Sequence, residues 1–195
     1  PAMVRQTNID GDEQADLVHH GGFDKAVLAY PSEHFTLWRS EFPSHDWQNG
    51  CFGENLTLSG AVEQDVCIGD IFSIGSAVLQ ISQPRQPCWK LSRRWNLPKL
   101  AVRVQQTRRT GWYLRVLEEG VIEPGGTMRL AKRPHPKWTV SLANEIMFSS
   151  PRDREADAAL SRCPDLSESW QRTLSRRAGM DSTSIADSVD KRLNG

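Results

Sequence analysis

The stretch that decides the fold is IFSIGSAVLQI, residues 71–81, in which two apolar runs flank the pair Gly75-Ser76. Glycine supplies the positive φ that a two-residue turn between antiparallel strands requires, so this stretch predicts a β-hairpin. A third apolar run, residues 66–68, precedes it across Gly69-Asp70 and predicts one more strand. The centre of the chain is therefore expected to be a sheet of short strands.

Directly after the hairpin comes SQPRQPCWK, residues 82–90, which sets Cys88 behind two prolines and between two cations. Prolines fix their own φ and restrict the residue before them, so the backbone that leads to Cys88 is expected to be extended. Arg85 and Lys90 favour the thiolate, which is the form that attacks electrophiles or binds metals. Among the four cysteines, Cys88 is therefore the predicted functional one, on a loop at a strand end.

Charge is distributed unevenly along the chain although the formal net charge is zero. Residues 1–70 contain 12 acidic and 3 basic side chains, whereas residues 71–115 contain 9 basic and no acidic ones. A basic stretch around Cys88 would concentrate anionic ligands. For the arginines from 103 to 115, a solvated surface is an equally open alternative. Nucleic-acid binding is not expected, because neither a known recognition motif nor an overall basic balance accompanies them.

Length and cysteine usage indicate the class of protein. A chain of 195 residues suits one domain with an appendage, or two small domains, and can bury a sizeable core. Cysteine spacings of 16, 21 and 75 residues give no zinc pattern, and neither a signal peptide nor an apolar run of membrane-spanning length is present. We therefore expect a cytoplasmic protein without a membrane partner. Composition becomes helical after Pro134-His135-Pro136, which predicts a β-rich domain over residues 1–133 and a helical one over 134–195.

Caps and apolar periodicity predict several short helices. One helix is expected to follow Ser32, and one to span residues 98–106 ahead of a strand over residues 111–117. Three or four more are expected in the helical region, two of them beginning after Asp153 and Ser167. These elements place the strands before, and most of the helices after, the predicted domain boundary.

Two polar segments ahead of the hairpin are candidate ligand contacts. In the first, Gly21 and Gly22 would let backbone N–H groups approach an anion, and His20 can donate a hydrogen bond or carry a proton near neutral pH. His19 and His20 are adjacent, so on an extended strand their side chains point to opposite faces, which disfavours a shared metal site. In the second, Glu54 and Asn55 offer polar atoms that either contact a ligand or cap their own loop.

Five motifs, in their order along the chain, resemble the MOSC domain family, which is named after the C-terminal domain of molybdenum cofactor sulfurase, and within it the YiiM type. They are HGGFDKAV at 20–27, YP at 30–31, FGENL at 52–56, VCIGD at 66–70 and QPRQPCWKL at 83–91. The resemblance implies a mainly β fold: a MOSC-type β-barrel followed by a small C-terminal three-helix extension. Because chains of the YiiM type usually begin with additional strands, the N-terminal strands of the barrel are expected to be missing here.

The resemblance also implies a cofactor. Cys88 would be the thiolate ligand of molybdenum in the molybdenum cofactor (Mo-molybdopterin), and a soft thiolate suits such a metal. Arg85, Lys90 and Arg93 would neutralise the charge of phosphate or oxo groups. The remaining residues assigned to cofactor or substrate are His20, Gly21, Gly22 and Asn55.

The implied reaction is the reduction of small N-hydroxylated compounds to amines, including N-hydroxylated nucleobases such as 6-hydroxylaminopurine. His20 or Glu54 would deliver the proton that water formation requires. No fused flavin or iron–sulfur segment is visible, so a separate flavoprotein or iron–sulfur reductase is expected to supply electrons. Two alternatives stay open: a metal-free enzyme in which Cys88 is a nucleophile or persulfide carrier with His20 as its base, and a non-catalytic carrier of molybdenum cofactor or sulfur.

Overall fold

The computed structural model describes residues 1–12, 22–179 and 192–194. Its strands are β1 (Ala2–Val4), β2 (Val27–Pro31), β3 (Leu56–Leu58), β4 (Ile71–Ile74), β5 (Ala77–Pro84), β6 (Trp112–Glu118), β7 (Gly120–Ile122) and β8 (Arg129–Lys132). Its helices are a 3-10 turn at Phe23–Lys25, α1 (Glu33–Glu41), α2 (Trp89–Trp95), α3 (Leu100–Thr107), α4 (Val140–Phe148), α5 (Arg154–Ser161) and α6 (Glu168–Gly179).

Six of the strands form one curled sheet in the order β3-β2-β6-β5-β4-β8. All neighbours are antiparallel except β2 and β3, which are parallel. Within the described residues the edge strands β3 and β8 do not pair, so the sheet is a half-barrel. β1 and β7 form a separate two-stranded ribbon. The predicted fold class is confirmed, since a mainly β part is followed by helices.

The predicted hairpin joins β4 to β5, with Ile74 paired to Ala77. Gly75 in its turn has a φ of +54°, and a Cβ added there would lie 2.1 Å from the carbonyl oxygen of Val121. The position therefore needs glycine both for its backbone conformation and for the close approach of another strand.

One face of the curled sheet carries the main hydrophobic core. The side chains of β5 and β6 that belong to this core are those of Ala77, Leu79, Ile81, Trp112, Leu114 and Val116. The alternation along β5 is interrupted after Ile81, where a bulge shifts its register against β6. The last residue of β5, Pro84, lies opposite Trp112, and the chain leaves the sheet there towards Cys88.

A second, aromatic core holds α1, α2 and α3 against the opposite side of β2. The helix predicted after Ser32 is α1, and it buries Phe35 and Trp38. The indole N–H of Trp38 donates to the hydroxyl of Tyr30 at 2.6 Å, so the large ring is buried with its polar group satisfied. This core fixes α2, and with it the loop that carries Cys88.

The helical extension docks directly onto the sheet. Asp153 caps α5 as predicted, since its carboxylate accepts from the N–H of Ala156 at 3.0 Å. Ser167 precedes α6 as predicted, and its own N–H donates to the carbonyl oxygen of Ser82 in β5 at 2.9 Å. None of the helices in the described part of the chain has the length and apolar character that spanning a bilayer requires.

The strand predicted over residues 66–68 is wrong. Only an isolated bridge between Cys67 and Thr139 forms there. The carboxylate of Asp70 accepts from the N–H of Cys67 at 2.9 Å and is itself held by Arg133 at 2.7 Å, which closes the segment into a turn. A carboxylate that binds a backbone N–H group competes with strand pairing, so the apolar run alone did not determine a strand here.

A helix that the sequence did not predict, α2, starts directly after Cys88. The helix predicted over residues 98–106 is present as α3, but α2 precedes it where no helix was predicted. Leu91 and Trp95, spaced i, i+4, both pack in the aromatic core and were the available signal. The extended backbone therefore ends at Cys88 itself.

Candidate functional site

Cys88 lies between the end of β5 and the first residue of α2. Its backbone is extended (φ −128°, ψ 165°), as the prolines before it predict. Its carbonyl oxygen accepts from the N–H of Leu91 at 3.1 Å, which starts the helix. All four cysteines are described, and Cys88 is the one that is partly exposed while the other three are buried.

The other three cysteines are poor candidates for thiol chemistry. Burial raises the pKa of the thiols of Cys51, Cys67 and Cys163. A thiol with a raised pKa carries little of the nucleophilic, metal-binding thiolate at neutral pH. The choice of Cys88 therefore rests on burial as well as on its sequence neighbours.

Arg85 is the charged residue built into the loop of Cys88. It is 9% exposed, and its backbone N–H donates to the carbonyl oxygen of Gly111 at 3.1 Å, which ties the loop to the start of β6. Its guanidinium group lies near the Tyr113 hydroxyl and lowers the pKa of that group, but Nη1 is buried with no hydrogen-bond partner. A buried charged donor without a partner lowers the stability of the fold. Such a group indicates a position where a ligand with a hydrogen-bond acceptor binds.

Tyr113 belongs to the same site. Burial raises the pKa of its hydroxyl, the charge of Arg85 opposes that shift, and the nearby Cys88 adds to it. The Cys88 sulfur and the Arg85 guanidinium group therefore both lie near enough to the Tyr113 phenol to influence it. The sequence did not single out Tyr113, because only the strand register reveals that it pairs with Gln83, two residues before Arg85.

Lys90 and Arg93 are placed on α2, and both are exposed. The guanidinium carbon of Arg93 lies 5.9 Å from the centroid of the Trp89 ring. Arg93, Trp89 and Asn96 line a cleft of about 380 Å³ beside the helix. That Lys90 and Arg93 neutralise a cofactor anion stays a prediction.

Carboxylates from other segments neutralise much of the basic stretch. The pairs are Arg103–Glu41 and Arg109–Glu41 at 2.7 Å, Arg115–Asp24 at 2.8 Å and Arg108–Glu145 at 3.1 Å. The positive field predicted from the count of basic residues is therefore weaker around these four arginines. The charge that matters for Cys88 comes from fewer residues than the sequence suggests.

The first polar segment is described only in part. His20 and Gly21 lie outside the described residues, so their assignments stay predictions. Gly22 has a φ of +97°, a conformation that glycine adopts readily, and it leads into the 3-10 turn. The carbonyl oxygen of Asp24 in that turn accepts from the hydroxyl of Ser82. The turn that follows the glycines thus lies against β5, the strand that leads to Cys88.

The second polar segment makes the loop-capping contacts that the sequence left open. One carboxylate oxygen of Glu54 accepts from the N–H of Gly50 at 2.7 Å, and the other accepts from the N–H of Phe52 at 2.9 Å. The side-chain oxygen of Asn55 accepts from the N–H of Leu28 at 2.7 Å, joining the segment to β2. These contacts are structural, and the ligand contact assigned to Asn55 stays a prediction.

The side chains of Cys88 and Arg85 suit an anionic ligand that contains a metal and supplies most of the ligands of that metal itself. In the described part of the chain, no three side chains of the His, Cys, Asp or Glu type are grouped so that they could hold a metal ion. Cys88 offers one sulfur, and Arg85 offers an unused charged N–H beside it. A molybdenum atom whose other ligands come from an organic cofactor with a phosphate group fits this combination.

Comparison with known proteins identifies the family. Residues 16–129 match the MOSC domain, and residues 138–177 match the YiiM-like, 3-alpha helix domain. Protein YiiM of Escherichia coli (strain K12) is 37% identical over 177 residues, which are 90% of this chain and 79% of that protein. A protein named Reductase from Gibberella moniliformis is 41% identical over 143 residues, which are 72% of this chain but 25% of that protein.

The similarity extends to solved structures. The crystal structure of YiiM from Escherichia coli matches with a TM-score of 0.87 at 32% identity, covering 100% of this chain and 91% of that one. The half-barrel and the helices that follow it therefore have the same arrangement in both proteins. The chain belongs to the MOSC domain family and carries the YiiM-like three-helix domain behind it.

Proposed function

We propose that this chain is an oxidoreductase that binds the molybdenum cofactor and reduces N-hydroxylated compounds to amines. The observation that carries the proposal is the partly exposed thiol of Cys88 beside the buried, unpartnered Nη1 of Arg85. Membership of the MOSC family and the relative named Reductase support a redox enzyme. The cofactor and the substrate class come from the family resemblance and from the fit of the site.

The residues of the site have distinct tasks in this proposal. Cys88 holds the metal through its thiolate, and Arg85 donates to a phosphate or oxo oxygen. Tyr113 stays protonated, because burial raises its pKa, so it can donate a hydrogen bond beside the sulfur. Lys90 and Arg93 add positive charge on α2. When bound, the molybdenum cofactor supplies the two-electron chemistry that side chains lack.

The proposed reaction converts R–NHOH, two electrons and two protons into R–NH₂ and water. The N–O bond breaks, nitrogen is reduced, and the hydroxyl oxygen leaves as water. His20, with Gly21 and Gly22, is the proposed proton donor and substrate contact, because the carboxylate of Glu54 is already engaged in capping its loop. A separate flavoprotein or iron–sulfur reductase is the proposed electron donor, and 6-hydroxylaminopurine represents the substrate class.

Metal analysis of protein from cells that make the cofactor tests the proposal. We expect near-stoichiometric molybdenum in the wild type, none in Cys88→Ala, and unchanged molybdenum in the matched control Cys163→Ala. Adenine should form from 6-hydroxylaminopurine with a reduced viologen dye as electron donor, and only where molybdenum is bound. Thiol-transfer activity without molybdenum would establish the metal-free cysteine enzyme instead. Tight cofactor binding without turnover, whatever the electron donor, would establish a carrier.

A further inference from the structure

The residues near the end of the chain lie beside Cys88. Residues 192–194 form a helical turn, and Leu193 in it is 6% exposed. Leu193 and Asn194 line the cleft of about 380 Å³ together with Trp89 and Arg93 of α2. The segment is therefore packed against the helix that starts at the candidate metal ligand.

Three separate elements hold the guanidinium group of Arg192. It donates from Nη1 to the carbonyl oxygen of Pro87, the residue directly before Cys88, and from Nη2 to the side-chain oxygen of Gln105 in α3 at 2.5 Å. Its carbon atom lies 5.7 Å from the centroid of the Phe148 ring at the end of α4. Ordering a long side chain costs conformational entropy, so an arginine held from three sides is part of a built arrangement.

Arg192 also remains charged in this position. Burial lowers its pKa to about 10, and the neighbouring Cys88 opposes the shift. The side chain is therefore cationic at neutral pH. No carboxylate among the described residues pairs with Arg192 or with Arg85, in contrast to Arg103 and Arg109. A guanidinium group has five N–H donors, so the two described bonds leave others for a ligand.

We propose that Arg192 is an anion-recognising residue of the Cys88 site, supplied by the end of the chain. An oxyanion that approaches the sulfur meets Arg85 from the loop and Arg192 from the segment packed on α2. The hydrogen bond from Arg192 to the carbonyl oxygen of Pro87 holds the guanidinium group at the residue that directly precedes Cys88. The inference concerns the site of the proposed function, but it depends only on charge at the thiol and not on molybdenum or turnover.

Two alkylating reagents of nearly equal size test it. Iodoacetate is an anion and iodoacetamide is neutral, so the ratio of their rates at Cys88 reports the local charge and cancels the reactivity of the thiol itself. The full chain is purified without cofactor, and alkylation of Cys88 is followed by mass spectrometry of its peptide. The variants are Arg192→Gln, which keeps a donor for Pro87 but removes the charge, and Arg192→Lys, which keeps the charge. Arg172→Gln, at an exposed position of α6, is the matched control.

We expect Arg192→Gln to lower the iodoacetate-to-iodoacetamide ratio about fivefold, the effect of one unit charge at contact distance in a water-like dielectric. Arg192→Lys should restore most of the ratio, and Arg172→Gln should leave it unchanged. A folded Arg192→Gln with the wild-type iodoacetate-to-iodoacetamide ratio overturns the inference. If the segment merely covers the sulfur, both alkylation rates rise equally and the ratio stays at the wild-type value, which counts as the same refutation. Should Arg192→Gln not fold, Arg192→Met also removes the charge, and the same change in the ratio is expected. None of these outcomes involves molybdenum, so failure here leaves the proposed function to its own metal analysis.

Discussion

Replacing Arg85 by methionine should separate stability from ligand binding at the site. The guanidinium group is nine-tenths buried and one of its nitrogen atoms has no partner. Methionine has a similar unbranched, flexible shape and no polar hydrogen, so it can occupy the same space without an unsatisfied donor. The substitution should therefore relieve a cost in the ligand-free protein while it removes the group that receives an anion.

The magnitude follows from two opposing terms. The unpaired buried donor costs about 1–3 kcal/mol, which Arg85→Met recovers. The lost interaction of the guanidinium group with the Tyr113 hydroxyl opposes this gain by about 1 kcal/mol. The ligand-free variant should thus be as stable as the wild type or more stable by up to about 2 kcal/mol, whereas point substitutions typically destabilise by about 1 kcal/mol.

Urea unfolding with and without inorganic phosphate measures both effects. Phosphate at 100 times its dissociation constant should stabilise the wild type by about 2.7 kcal/mol and leave Arg85→Met unchanged. Arg94→Met, an exposed arginine of α2, is the matched control and should keep the phosphate response. A variant that loses more than about 2 kcal/mol without ligand, or that responds to phosphate like the wild type, would refute the role of Arg85 as an anion receptor.

Two further predictions concern ion pairs elsewhere in the chain. Arg177 and Asp157 form a buried pair at 3.0 Å between α6 and α5, so Arg177→Met should lower the free energy of unfolding by about 3–5 kcal/mol. Adding Asp157→Leu should recover part of that loss in urea unfolding, and a double variant no more stable than the single one would contradict this reasoning. The hydrogen bond from Arg103 holds the pKa of Glu41 below its usual value, so the pair stabilises the fold at neutral pH, and the stabilisation is lost as the pH falls below about 4.3. Glu41→Gln should therefore lose less stability than the wild type between pH 7 and pH 3, and equal losses would argue against the pair.

The fold was predictable where its causes lie within a few residues of one another. The turn at Gly75 and the caps at Asp153 and Ser167 each depend on one side chain and its immediate neighbours. The strand order and the open edge of the half-barrel depend on pairings between distant segments, and local patterns carry no information about them. The strand wrongly predicted over residues 66–68 shows the same limit, because the carboxylate of Asp70 that closes the turn is fixed by Arg133, far along the chain.

The candidate site shows the same difference between features with local causes and features that depend on distant segments. Cys88 and Arg85 were predicted because thiol and cation lie within one short motif, but the contribution of the other basic residues could not be read from their number. Glu41 comes from a distant helix and neutralises Arg103 and Arg109. Arg192 lies 105 residues along the chain from Pro87, the proline that it contacts. Since tertiary contacts decide which charges remain unpaired around the sulfur, a motif can single out the candidate thiol, but the fold determines which charged groups an approaching anion meets there.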